Sequence, residues 1–311
     1  MTKSLTVIVP CYNEEAVLQA SYLRLKRVLN TLSNPSEIIF VDDGSADSTG
    51  ALLAEIATSD RQVKVISFSR NFGHQKALTA GINHCTTDLA VIMDADLQDT
   101  PELIPEMLTQ LEANHAQVVY GVRNTRKGES RFKIWSAKWF YRFLNLFSEV
   151  ELPVDTGDFR LIDSNIIREF NKMHEQGKYV RGLVAWSGFK QVPLHYVREP
   201  RLAGKTKYSL SQMMKLAITS MLYFSKKPLM LATTLGFLSV VIALFFGLYA
   251  VLGHIFGFTH ADSGWTSLVV LIVFFGGVQL FTIGILGAYI GNLFDEIKSR
   301  PEYIIENKIN F

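Results

Sequence analysis

Short apolar runs rich in β-branched residues recur through the first part of the chain, each followed by a polar cluster and then by apolar residues at helical spacing. Leu5-Thr6-Val7-Ile8-Val9 stops at Pro10, Asn13-Glu14-Glu15 follows, and Leu18, Tyr22, Leu25 and Leu29 then fall on one helical face. A strand leading into an amphipathic helix has this pattern. Glu37-Ile38-Ile39-Phe40-Val41 runs into Asp42-Asp43-Gly44-Ser45 and a helix through Ala51, Leu52, Glu55 and Ile56. Val63 to Phe68 runs into Ser69-Arg70-Asn71-Phe72-Gly73, with a helix expected from about Gln75 to His84. Val91-Ile92-Met93 ends abruptly in Asp94-Ala95-Asp96-Leu97-Gln98-Asp99. Unbroken apolar strands alternating with helices predict an α/β fold built on a mostly parallel sheet.

Further on, Pro101 suits the first position of a helix, and Val118-Val119-Tyr120-Gly121 reads as another strand. Ile134 to Leu144 is dense in Trp, Tyr, Phe, Lys and Arg, a composition that fits a helix at a lipid interface or a buried core helix. Ser209 to Lys227 has an amphipathic period closed by Lys226-Lys227. Residues 229–253 and 264–294 carry no Asp, Glu, Lys or Arg, and each exceeds the roughly 20 residues that span a bilayer as a helix. The linker between them lacks Lys and Arg, whereas Lys226, Lys227, Lys298 and Arg300 flank the outer ends, so the positive-inside rule puts both termini in the cytoplasm. Glu302-Tyr303-Ile304-Ile305-Glu306 is strand-like after Pro301 and fits a strand added to a neighbouring protomer's sheet. The expected organisation is a catalytic domain over 1–207, an amphipathic juxtamembrane helix over 208–227, two transmembrane helices within 228–294 (about 229–253 and 266–292), and a cytoplasmic tail over 295–311.

Composition changes this picture little. A chain of 311 residues is longer than one ordinary domain, which agrees with a soluble part plus a membrane part. A net charge of +2 gives no case for nucleic acid, although Lys and Arg concentrate between residues 123 and 227. Cys11 and Cys85 sit in buried-looking segments, as reduced structural thiols do. The first ten residues have too short an apolar core for a secretory signal and read as the first strand.

The candidate chemistry lies where the strands end. Tyr12-Asn13-Glu14, Asp42-Asp43 and Asp94-Ala95-Asp96 each follow a strand, and in a parallel sheet those ends share one edge, where ligands bind. Asp94 and Asp96, two apart on an extended chain, are expected to point to one side and share a divalent cation. An isolated Asp-x-Asp is more often a solvated acidic turn, so its neighbours decide the matter. No Gly-x-Gly-x-x-Gly and no Gly-x-x-x-x-Gly-Lys is present, so a dinucleotide fold and a P-loop are unsupported. Arg123, Arg126, Lys127, Arg131 and Lys133 form a basic run that suits either a solvated loop or an anion site. Asp158 and Arg160 follow a Gly-containing turn and read as an ion pair or as active-site groups; Arg201, Lys205 and Lys207 make a further cationic segment.

Val-Pro-Cys-Tyr-Asn-Glu-Glu, Val-Asp-Asp-Gly-Ser-x-Asp and Asp-Ala-Asp-Leu-Gln-Asp, in this order, resemble the nucleotide-sugar half of family 2 glycosyltransferases of the GT-A fold. Gly-Asp-Phe-Arg-Leu at 157–161 and Arg-Leu-Ala-Gly-Lys-Thr-Lys-Tyr at 201–208 resemble the polyprenyl-phosphate subgroup, with Thr206 in place of the usual Ser. The resemblance implies that Pro10, Tyr12, Asn13, Glu14, Asp42, Asp43 and Asp94 bind the nucleotide sugar. Asp94, Asp96 and Gln98 would hold Mg2+ or Mn2+, and Asp158, Arg160 and Asp96 would carry catalysis. Arg123, Arg131, Arg201, Lys205 and Lys207 would hold the acceptor phosphate, with Arg160 beside them. It further implies UDP-glucose as the first donor to test, polyprenyl (undecaprenyl) phosphate as acceptor, and inversion at the anomeric carbon. The site would lie at the cytoplasmic face of the inner membrane in a multi-pass, homo-oligomeric protein, a tetramer among its states. Gly287-Ala288-Tyr289-Ile290-Gly291 is a small-residue face open to such a contact.

Three rivals remain at this level. A processive polysaccharide synthase shares the front half but carries Gln-x-x-Arg-Trp, absent here. A membrane-anchored sugar-nucleotide scaffold would not need Asp96. A transporter lacks a polar pathway through two uncharged helices.

Overall fold

The computed structural model describes residues 2–123, 156–197, 199, 225–256 and 264–311. The expected interfacial helix at 134–144, most of the amphipathic segment at 209–227, and Arg131, Arg201, Lys205 and Lys207 lie outside the described residues. The described residues form two compact units: 2–123, 156–197, 199 and 300–311 make the first, 225–256 and 264–299 the second.

The first unit is an eight-stranded mixed sheet. Its strands are β1 (Leu5–Cys11), β2 (Ser36–Asp42), β3 (Val63–Phe68), β4 (Leu89–Ile92), β5 (Val118–Arg123), β6 (Thr156–Asp163), β7 (Gln191–Tyr196) and β8 (Ile305–Ile309). Their order across the sheet is β7-β5-β6-β4-β1-β2-β3-β8. The four strands legible from the early apolar runs, β3, β2, β1 and β4, are parallel neighbours, and β6 joins β4 antiparallel. β1 runs one residue past Pro10 to Cys11, because a proline without an N–H can still accept within a ladder.

Helices α1 (Glu15–Leu29), α2 (Thr49–Ser59), α3 (His74–Asn83) and α4 (Ile104–Ala113) connect the strands. Alternate side chains of β2 sort into two cores. Ile38 and Phe40 pack with Leu18, Leu25 and Leu53 of α1 and α2, while Ile39 and Val41 pack with Ala77 and Ala80 of α3. β2 is thus covered on both faces, which is why it shows no polar alternation. Pro101 opens a short 3-10 turn (Pro101–Leu103) that feeds α4. After β6, α5 (Ser164–Asn171) is capped by Asp163, whose carboxylate accepts from the N–H groups of Asn165 and Ile166. The short α6 (Val180–Trp186) precedes β7. Cys11 and Cys85 are buried free thiols, as expected.

The tail corrects the sequence reading. Its strand pairs antiparallel with β3 of the same chain, Val65 opposite Ile309 and Ser67 opposite Asn307, instead of with a neighbouring protomer. Local complementarity explains the choice. Tyr303 stacks on Phe68 with ring centroids 5.0 Å apart, Asn83 Nδ2 donates to its hydroxyl, and Glu302 pairs with Lys178 at 2.8 Å.

The second unit contains α7 (Lys227–Ile255) and α8 (Trp265–Lys298), packed on one another. Both are long and apolar enough to cross a membrane, with mean hydropathy 2.5 in each and neither apolar window buried. Phe245, Leu280 and Val273 each expose about two thirds of their surface or more, which a core helix of a soluble domain does not do. Tyr289 donates its hydroxyl to the Ser225 carbonyl.

Candidate active site

The three polar strand ends meet at one edge of the first unit, as the parallel topology requires. The loops after β1 and β2 are stitched together: Asn13 N–H donates to Ser45 Oγ, Ala46 N–H donates to Asn13 Oδ1, and Glu14 N–H donates to Thr49 Oγ1, all within 3.0 Å. Asp42 accepts from Ser45 N–H at 3.0 Å. Asp43 takes a different task, since its oxygens accept from the N–H groups of Phe72 and Gly73 at 2.7 and 2.9 Å. Burial pushes its carboxyl up despite those bonds. Gly73, at φ 106, permits the sharp entry into α3 that puts His74 at its first position. Tyr12 stays more than one third exposed beside these loops, and Pro10 lies within β1.

The acidic loop differs from the extended geometry expected of it. β4 ends at Ile92, the chain turns at Ala95-Asp96, and Leu97 adopts a left-handed φ of 57°. The turn forms because Asp96 Oδ1 accepts from Gln98 N–H at 3.1 Å, a local bond that competes with strand continuation. Burial of the Leu97 side chain anchors the strained residue.

The structure then brings together groups that the sequence kept apart. His74 Nε2 lies 3.1 Å from Asp158 Oδ2 and 3.8 Å from Asp94 Oδ1, so one imidazole touches a carboxylate from β4's loop and one from β6. Arg181 of α6 pairs with the other oxygen of Asp158 at 2.9 Å and donates Nη1 to the Thr156 carbonyl. Gln75 donates weakly to Asp158 at 3.5 Å and accepts from Val180 N–H at 2.9 Å, tying α6 to α3. Arg160 is buried beneath this cluster, donating to the backbone carbonyls of Asp158 and Gly157 at 3.3 and 3.2 Å.

Charge follows geometry. Burial would raise the Asp158 carboxyl, but Arg181 and His74 outweigh it and hold it well below the usual carboxylate range. Burial would lower His74, and its bond to Asp158 and the charges of Asp94 and Asp158 carry it up to about 9 instead. Asp94 is pushed up to about 6 by burial, with Asp99, Asp158 and Asp96 adding repulsion against the pull of His74. Burial brings Arg160 down to about 10, still charged at neutral pH.

Arg123, at the end of β5, lies 3.7 Å from the fully buried Asp99 and donates Nε to Tyr196 OH at 3.4 Å; Tyr196 OH in turn donates to Asp99. A Cβ at position 157 would fall 2.4 Å from Arg123 Nη2, so the glycine is what lets this guanidinium lie against β6. Of the expected site residues, Asp94 and Asp158 converge directly, Arg123 reaches the same acidic loop through Asp99, and Asp96 and Gln98 share its turn. Sequence reading missed His74, Gln75, Arg181 and Tyr196. A usable signal was His74 directly after the Gly that opens a helix at the ligand-binding edge.

Among the described residues no group of three or more His, Cys, Asp or Glu is arranged to hold a metal alone. Asp94, Asp96 and Gln98 nonetheless supply hard oxygen donors, and the mutual repulsion that raises Asp94 is the kind a cation relieves. Mg2+ commonly takes one or two carboxylates and completes its shell with substrate phosphates and water, so this donor set fits such an ion.

Residues 6–170 match the family model described as glycosyl transferase family 2. A Bacillus subtilis protein described as an uncharacterised glycosyltransferase is 45% identical over 305 residues, 97% of this chain and 93% of its own. The prophage bactoprenol glucosyl transferase homolog of Escherichia coli K12 is 36% identical over 302 residues, 97% of this chain and 98% of its own. The bactoprenol glucosyl transferase of Shigella phage SfV is 34% identical over 304 residues, 98% of each. With a GT-A sheet and an acidic loop at its ligand-binding edge, the chain is a glycosyltransferase. It belongs to glycosyl transferase family 2.

Proposed function

We propose that the protein transfers a hexose from a nucleotide sugar, UDP-glucose first among the donors, to a polyprenyl phosphate at the cytoplasmic face of the membrane. The observation that carries this reading is the convergence of Asp94 and Asp158 on His74, which sets a donor-side carboxylate beside the β6 segment assigned to the acceptor. In the reaction an acceptor phosphate oxygen bonds to the anomeric carbon as the bond from that carbon to the diphosphate oxygen breaks, with inversion. Asp94, Asp96 and Gln98 would hold Mg2+ or Mn2+, which when bound supplies positive charge against the departing diphosphate.

The remaining work belongs to side chains of this chain. A phosphate monoester has its second pKa near about 6, so the nucleophile is largely deprotonated at neutral pH and needs no strong base. Asp158 is poorly suited to take a proton, because Arg181 and His74 occupy its two oxygens and hold it ionised. It orients the sugar or acceptor and keeps the cations around it in place. Arg160 braces the β6 backbone at Gly157 and Asp158, and Arg123, pre-set by Asp99 and Tyr196, offers charge toward the acceptor phosphate. Tyr12, Asn13, Glu14 and Asp42 shape the nucleoside side, and Asp43 fixes the α3 entry.

The membrane assignment rests on the two exposed apolar helices and on the basic residues flanking them, which favour cytoplasmic ends. The names of the relatives from Escherichia coli and Shigella phage SfV support a polyprenyl acceptor and a glucosyl donor. The test is to incubate the purified full-length protein and undecaprenyl phosphate with radiolabelled UDP-glucose, other UDP-hexoses and a GDP-hexose. Label from UDP-glucose is expected in the lipid extract as a single inverted anomer. Label found only as free sugar, or in a polymer, contradicts the proposal.

A further inference from the structure

Away from the reacting groups, the half-buried Arg24 of α1 makes an unusually complete set of bonds. Its Nε and Nη2 donate to the two oxygens of Glu102 at 2.8 Å each. Its Nη1 and Nη2 donate to the two oxygens of Glu199 at 2.9 Å each. One guanidinium thus grips two carboxylates in paired forks, a geometry that fixes position as well as charge. Both carboxylates are more than two fifths exposed, which limits what the pairs add to folding, and the segments they join are the ones that carry the acidic loop.

What the grip positions is the acidic loop. Glu102 lies three residues beyond Asp99, at the exit of that loop. Glu199 donates its N–H to the Gln98 carbonyl at 3.1 Å, and its own carbonyl accepts from Gln98 Nε2 at 3.5 Å. Gln98 is therefore held through its backbone, with a weak side-chain contact that turns Nε2 toward Glu199 and leaves Oε1 as the atom to act as a ligand. Asp96 is tied to the same residue through Gln98 N–H.

We propose that Arg24 is a positioning residue for the metal-nucleotide site: through Glu199 it sets the orientation of the Gln98 amide, and through Glu102 it fixes the end of the acidic loop. This inference rests on the assignment of Gln98 as a metal ligand under the proposed function. Arg24→Met keeps the apolar stem and removes the forks, Glu199→Gln keeps the shape and removes the charge, and Lys172→Met, which breaks an exposed ion pair on another helix, serves as control.

The experiment is an electron paramagnetic resonance titration of Mn2+ into the full-length protein with UDP present, with melting temperature measured in parallel. Arg24→Met and Glu199→Gln are each expected to weaken Mn2+ binding about tenfold, as loss of an outer-shell partner does. The double variant is expected to bind no more weakly than Arg24→Met alone, because that variant has already lost the Glu199 contact. Lys172→Met binds as wild type, and all variants melt close to wild type. Wild-type affinity in Arg24→Met and Glu199→Gln, losses that add as independent effects, or weakened binding that merely tracks a fallen melting temperature would each overturn the inference. Wild-type protein that binds no Mn2+ with UDP overturns the metal reading beneath it, a result distinct from variants that match a binding wild type.

Discussion

Replacing His74 by glutamine tests the charge cluster that joins the two halves of the site. The amide can still donate to Asp158 but carries no charge. The rise of His74 from 6.5 to about 9 corresponds, at about 1.36 kcal/mol per tenfold change in protonation, to about 3 kcal/mol of favourable interaction. A neutral hydrogen bond returns about 1 kcal/mol of this, which leaves a net loss of about 2 kcal/mol. At about 2–4 °C per kcal/mol for a domain of this class, His74→Gln melts about 4–8 °C below wild type. The sign with pH is fixed, because the folded-state pKa is the higher one. The stabilisation is fully present below 6.5 and is lost as pH rises through about 9. Thermal unfolding of the detergent-solubilised protein in EDTA, from pH 6.5 to 10, reads both effects. The gap between wild type and His74→Gln is largest at pH 6.5 and closes toward pH 10. A gap that is absent, or constant with pH, refutes the charged bridge between Asp94 and Asp158.

Asp94 predicts its own dependence: its carboxyl is raised to about 6, so Mn2+ competes with a proton below that pH, and affinity rises with pH up to about 6 before levelling, as Mn2+ titration at several pH values checks. Asp96→Asn keeps the side-chain size and removes a ligand charge. Its transfer rate falls by more than the roughly 100-fold that outer-shell changes cost at most, whereas a scaffold would keep its binding partners and lose nothing. Tyr303→Ala removes the stacking on Phe68 and the bond from Asn83, costing about 2 kcal/mol for a half-buried aromatic; the melting temperature should fall, and an unchanged value contradicts the docked tail.

The strands at the centre of the sheet were legible because burial on both faces leaves unbroken β-branched runs, and Ile38 to Val41 display this directly. The edge was less legible. Ile305 to Ile309 is short, half polar and covered on one side, so its sequence signals a strand but not which β edge it joins. The same limit governs the site. Asp94, Asp96 and Asp158 stand out because acidic groups after apolar runs are conspicuous. His74 does not, since its meaning comes from a contact with Asp158 across more than eighty residues of chain that only the fold creates, and Arg181 is known as a site residue only once its own pairing with Asp158 is seen. Local bonding also changes one detail: the extended strand expected to carry Asp94 and Asp96 ends at Ile92, and a turn closed by the bond from Gln98 N–H to Asp96 carries them instead. Arg24 resembles any charged residue on the wet side of an amphipathic helix until its two partners are seen together.

The most direct test of the central claim is the rate of glucose transfer from UDP-glucose to undecaprenyl phosphate, measured with Mn2+ and again after EDTA in the same preparation. The acidic loop predicts lipid-linked product with Mn2+, near-complete loss with EDTA, and recovery when Mn2+ is restored. Transfer that continues undiminished in EDTA would contradict the role given to Asp94, Asp96 and Gln98.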